Sequence, residues 1–331
     1  MFPTRFSGFP ILATVALGLS TGCAGGGSGV ATPGSALAPV QSIARAALVD
    51  SAGLARATKI VAVSDDEDDA VIAYDPAGHT LAVLSDFNFP QGLANDINGD
   101  LYVADQLNSR IQIYAPGFTG KPKTLSDPGQ YPISVDSFAN GKYVAVVNQY
   151  TTSYGPGSVM IYTNGVAGAP ITSSSISQAS FAAFDGHGNL YVTFFPNGTS
   201  CPCIGEISNA TMGGTTLALL TTSNSITPYG IQVTTTGQIA IFDQGSNTVY
   251  TYNPPSGGSL GSPVASTRLH RPLDAPAQFA FTSDMNDLYV ANNSDNNSVY
   301  KFAYPTGGRL GSISVGGLPF GVALFPKQLP R

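Results

Sequence analysis

The 331-residue sequence has no tryptophan, three cysteines and three histidines, and only 10% of its residues are charged. Each scarcity removes a class of function. Fourteen basic residues face 20 acidic ones, for a net charge of −6, and no block of Lys or Arg is dense enough to follow a phosphate backbone. Nucleic acid is therefore not an expected partner. The same scatter leaves no cationic face for a lipid surface. His79, His187 and His270 fall in turns or loops, with no Ser or Cys at a nucleophile–base spacing. What the chain has in quantity is 38 glycines, 24 prolines, 15 tyrosines and 17 phenylalanines, the mixture of many short strands joined by tight turns.

The N-terminus has its own pattern. Arg5 is the one positive side chain ahead of residues 9–19, an uncharged apolar run too short to cross a bilayer as a helix, which reads as a signal peptide. It ends in Leu19-Ser20-Thr21-Gly22-Cys23, small residues directly before a cysteine. This resembles the bacterial lipobox, with Ser20 where leucine is usual. The resemblance implies a signal peptide over residues 1–22, a lipid on Cys23 as the sole membrane contact, and an exported protein held at the cell envelope. Residues 23–57 read as a flexible tether, rich in Gly, Ala, Ser and Pro as far as residue 39 and weakly amphipathic over 41–57. The folded domain is expected over 58–331.

Internal similarity decides the fold. Phe89-Pro90-Gln91-Gly92-Leu93-Ala94 is followed by a turn at Asn98-Gly99, the run Leu101-Tyr102-Val103-Ala104-Asp105, and Ile111-Gln112-Ile113-Tyr114. The same order recurs from Tyr131, Phe181, Thr227 and Ala277, and third runs end in Tyr74, Tyr114, Tyr162, Tyr252 and Phe302. Second strands begin near Val61, Leu101, Tyr143, Leu190, Ile239 and Leu288, at intervals of 40 to 49 residues. Four strands per repeat at that spacing predict an all-β chain folded as a six-bladed β-propeller. The first repeat lacks its first strand, and Leu318-Pro319-Phe320-Gly321-Val322-Ala323 supplies it, so the C-terminal strand is expected to join the first blade and close the ring. Residues 89–114 resemble an NHL repeat, and the resemblance extends over roughly residues 59 to 325.

Candidate sites follow from the blade pattern. Loops between second and third strands carry the longest insertions, and they share a face with the starts of the first strands. The residues expected at that channel mouth are Gln91, Ile133, Ser180, Tyr229, Gln278 and Phe320, with Tyr150 and Tyr154 on an insertion above it. Asp65, Asp105, Asp243 and Asn292 end four second strands and form a candidate divalent-cation set; the competing reading has them bonding their own loop backbones. The acidic run over residues 65–69 reads as a solvated loop, with Ca²⁺ as the alternative. Cys201 and Cys203 read as a loop disulfide, with soft-metal binding as the alternative.

The NHL resemblance implies an interaction platform. The expected function is a monomeric, lipid-anchored propeller that binds a protein, peptide or glycan of the cell envelope, with no cofactor. The alternative, implied by similarity to lactonase-like propellers, is a metal-dependent hydrolase or lyase at the channel mouth.

Overall fold

The computed structural model describes residues 48–49, 59–173, 176–197, 202–294 and 296–327. Within these, six antiparallel sheets form the blades of a β-propeller, each running from an inner strand at the axis to an outer one at the rim. Blade I consists of Pro319–Phe325, Ile60–Asp65, Ala70–Tyr74 and Thr80–Leu84. Blade II is Pro90–Asn95, Leu101–Asp105, Arg110–Tyr114 and Lys123–Ser126; blade III is Gln130–Phe138, Tyr143–Thr151, Ser158–Thr163 and Val166–Ala167. Blade IV is Ile176–Phe184, Leu190–Pro196, Cys203–Ile207 and Leu217–Thr222; blade V is Pro228–Val233, Ile239–Asp243, Thr248–Tyr252 and Ala265–Arg268. Blade VI is Pro276–Phe281, Asp287–Asn292, Ser298–Ala303 and Arg309–Ser314.

Strand composition follows this radial position. A second strand is covered on both faces by neighbouring blades, so every residue of Leu101–Asp105 and of Ile239–Asp243 is buried. An outer strand has one face in water, and Lys123–Ser126 buries only Leu125. The aromatic third-strand ends fill the seams between blades: Tyr74, Tyr114, Tyr162, Tyr252 and Phe302 are all buried. Two of them reach the preceding blade, since Tyr162 donates its phenol to the Ser126 carbonyl at 2.7 Å and Tyr252 to Asn224 Oδ1 at 2.8 Å. This satisfies the polar end of a buried ring.

The C-terminal strand closes the ring. Val61, Ala62 and Val63 pair with Leu324, Ala323 and Val322. Ser64 Oγ accepts from Gly321 N–H at 2.7 Å and donates to the Gln91 carbonyl at 2.6 Å, joining blade I to blade II. Here the recurring Pro-x-Gly has a steric reason. A Cβ on Gly321 would lie 2.4 Å from Gln91 O, and one on Gly92 would lie 2.7 Å from Ile133 O, because the next inner strand packs directly against that position.

Two short strands add to the predicted pattern. Leu48–Val49, within the segment read as tether, pairs with Val83 and Ala82 as a fifth strand at the rim of blade I. Ser259–Gly261, from the loop between the third and outer strands of blade V, runs parallel to the outer strand of blade IV and ties the two blades together. Segments of two or three residues are too short to show a sequence period.

Candidate functional site

The four residues of the candidate cation set share one local geometry. Each stands opposite the proline that opens its inner strand: Asp65 with Pro319, Asp105 with Pro90, Asp243 with Pro228, Asn292 with Pro276. Each accepts a backbone N–H from the segment just before that proline: Gly317 at 2.8 Å, Asn88 at 2.8 Å, Thr227 at 2.7 Å and Ala275 at 3.2 Å, in the same order. The remaining capacity turns to the following loop. Asp105 also accepts from Asn108 Nδ2, Arg110 Nε and Gln112 Nε2, and Asp243 from Gly245 N–H and the Ser246 hydroxyl. These side chains act as clasps that hold the chain entering a blade to the end of its second strand. In blade I the clasp holds the closing strand itself.

Blade III has the same strand position, which escaped the sequence reading, but no clasp: the Asn148 amide oxygen is buried without a hydrogen-bond partner. Asn148 stands opposite Pro132 in blade III and donates to Ser158 Oγ. The proline was the available signal, because it sits one residue before Ile133 as Pro90 sits one before Gln91. Among the described residues, no group of three or more His, Cys, Asp or Glu side chains converges as a metal site.

The residues expected at the mouth lie at the axis, where they fill it. Gln91, Ile133, Ser180, Gln278 and Phe320 are all buried. The Phe320 ring, from blade I, stacks on Phe181 of blade IV on the far side of the ring, with centroids 5.8 Å apart. Gln278 differs from its expected register. Pro276 opposes Asn292, so Ala277 is the counterpart of Gln91, and Gln278 falls one residue deeper. Its amide oxygen accepts from Leu93 and Val322 N–H and its Nε2 donates to Leu93 O, binding three inner strands together.

Two groups of aromatic rings lie between this plug and the surface. Phe181 meets Tyr229 edge-on at 5.1 Å. Tyr229 has its phenol pushed up to about 12 by burial and by the neighbouring Tyr150 hydroxyl. Tyr150 lies 6.2 Å from Tyr154, which lies 6.0 Å from Tyr131. The first two strands of blade III are nine residues each, and their upper ends pair Tyr150 with Tyr131. Tyr154 crowns this hairpin with 67% of its surface in water and a left-handed φ of 59°, held by a turn in which its N–H donates to Thr151 O.

The acidic run departs from the expected solvated loop. Asp65 and Asp66 are buried, and only Glu67 and Asp69 are exposed. Asp66 Oδ2 accepts from Asn293 of blade VI at 3.0 Å and Gln91 of blade II at 3.4 Å. Burial raises its carboxyl to about 7, against which those two hydrogen bonds act, and Asp65 and Glu67 add repulsion. Elsewhere, His79 pairs with Asp75 at 2.8 Å, and His187 sits in a hairpin turn where Asp185 accepts its N–H, on the face opposite Tyr154. Cys203 opens the third strand of blade IV. Cys23, Cys201 and residues 1–47 lie outside the described residues.

The geometry defines a closed, axially filled six-bladed β-propeller. No family model and no curated protein sequence matches the chain. Among solved structures it is similar in shape to hydrazine synthase of Kuenenia stuttgartiensis, at 15% identity and a TM-score of 0.55, over 79% of this chain and 85% of the other. That likeness shows the propeller fold.

Proposed function

We propose that this chain is an exported, lipid-anchored propeller of NHL type that acts as a binding platform, docking a protein, peptide or glycan of the cell envelope on the aromatic surface over blades III to V. The observation that carries this reading is a pair of aromatic groups, Phe320, Phe181 and Tyr229 reaching out from the rigid axis and Tyr150, Tyr131 and the exposed Tyr154 on blade III, with Tyr150 near enough to act on the Tyr229 phenol. Rigid aromatics on a preorganised base supply contact area at low entropic cost. The leader and Cys23 support tethering, which would fix the disc near a membrane while leaving its faces free.

Binding should be measured on panels of envelope peptides and glycans with the wild-type chain and a Tyr150→Ala/Tyr154→Ala variant. The pair should weaken binding by about tenfold or more, as hot-spot aromatics do. Unchanged binding in the pair, or equal loss in His187→Ala on the other face, would reject the site.

A further inference from the structure

Three of the four arginines among the described residues, Arg268, Arg271 and Arg309, lie where blades V and VI meet, since Gly307, two residues before Arg309, packs against the Arg268 backbone, and His270 stands between the first two. The Arg271 and Arg309 guanidinium carbons lie 4.5 and 5.3 Å from the centre of the same ring, Tyr300. His270 N–H donates to the carbonyl of Gly307, two residues before Arg309, at 3.0 Å. Among the described residues none of these four has a carboxylate within 4.0 Å, whereas Lys59, Arg110, Lys301 and Lys327 all do. Among the described residues these three arginines are thus left without an ion-pair partner. Like charges held together in this way favour an anion between them.

The cluster borders a groove of about 700 Å³ on blade V, lined by Ser246, Thr248, Tyr250, Ser266, Arg268 and His270 among others. That volume lies within the range of small-ligand sites. Two buried polar atoms at its margin, Asn247 Oδ1 and Arg271 Nε, have no hydrogen-bond partner. The lining joins the exposed Ser266 hydroxyl and the Tyr250 ring to the exposed Arg268 and His270, which suits a molecule bearing hydroxyls, a flat apolar ring face and negative charge. The edge strand Ala265–Arg268 is four residues long and closely followed by Pro272, a short ladder for an acidic peptide to extend.

We propose that this groove binds a carboxylated saccharide chain, with Arg268 and His270 on its carboxylates, the exposed Ser266 hydroxyl on one of its hydroxyls, and Tyr250 beneath a sugar ring. The site shares no residue with the Tyr154 surface. The full chain should be titrated with an oligogalacturonate, its methyl ester and an oligoglutamate, alongside an Arg268→Gln/His270→Gln variant. Both substituted side chains are exposed, so the melting temperature should hold. The oligogalacturonate should bind, its ester about tenfold or more weaker, the variant should lose affinity by a similar factor, and Tyr150→Ala/Tyr154→Ala should leave this affinity intact. No binding at millimolar ligand, equal binding of the ester, or full retention by the variant would overturn the proposal. Oligoglutamate binding as tightly would overturn the saccharide assignment in favour of an acidic peptide.

Discussion

Asp105→Ala is the sharpest probe of the clasps. The Asp105 carboxylate has no exposed surface and accepts from Asn88 N–H at 2.8 Å, Asn108 Nδ2 at 2.9 Å, Arg110 Nε at 2.6 Å and Gln112 Nε2 at 3.2 Å. Alanine leaves the Asn88 N–H and the Asn108 amide to find other partners and strips a partly buried guanidinium of its nearest counter-charge, while Gln112 Nε2 keeps the Asp86 carbonyl at 2.8 Å. Arg110 keeps the Asp86 carbonyl at 2.6 Å, which limits the damage. Losing one partner of such a network costs about 3–5 kcal/mol. Asp105→Asn keeps the shape and one acceptor oxygen, and should cost about half as much on the same grounds. Equilibrium urea unfolding measures both, and the wild-type stability should be the same with and without a chelator. A loss below about 1 kcal/mol for the alanine variant would refute the clasp, given the range for exposed sites. A chelator that lowers wild-type stability to the level of Asp105→Ala would show that the residue holds a cation.

Burial raises the carboxyls of Asp66 to about 7 and Asp127 to about 6, so the folded state holds these protons more tightly than the unfolded chain. Their stabilising contribution is complete below pH 4 and is lost as pH rises through 6 to 7. At about 1.4 kcal/mol per pH unit, the Asp66 shift sets a ceiling of about 4 kcal/mol, and Asp66→Asn should raise stability at pH 8 and flatten the melting profile between pH 5 and 8. A variant as pH-dependent as wild type would disprove that assignment. Gly321→Ala forces a Cβ against the Gln91 carbonyl and should cost about 2–3 kcal/mol by urea unfolding, and a neutral result would contradict the close approach. Removing residues 317–331 takes away the inner strand of blade I and its Asp65 clasp, so the truncated chain should aggregate; a soluble, cooperatively melting product would refute ring closure.

The blades were legible because a propeller repeats a chemical need at every turn. Each hairpin requires its turn residues, each second strand a buried apolar run, and five of the six third strands end in an aromatic for the seam, so the 40-to-49-residue spacing carried the architecture and the closing strand with it. Finer register depended on prolines. Where Pro276 precedes Ala277-Gln278, aligning on glutamine rather than proline displaced blade VI by one residue. Contacts across the ring left no local trace: Phe181 and Phe320 are 139 positions apart in the chain, and only closure brings them together. The arginine seam was hidden for the same reason, since Arg309 meets Arg271 on the Tyr300 ring only through blade packing. The burial of Asp66 depends on Asn293 and Gln91 from two other blades.

The proposed docking face can be tested in place. A photo-crosslinking side chain installed at Tyr154 and expressed in the native host should give a discrete, saturable adduct, while the same group at His187 on the opposite face should give none. Adducts from His187 in preference to Tyr154 would contradict the aromatic surface as the working face of this propeller.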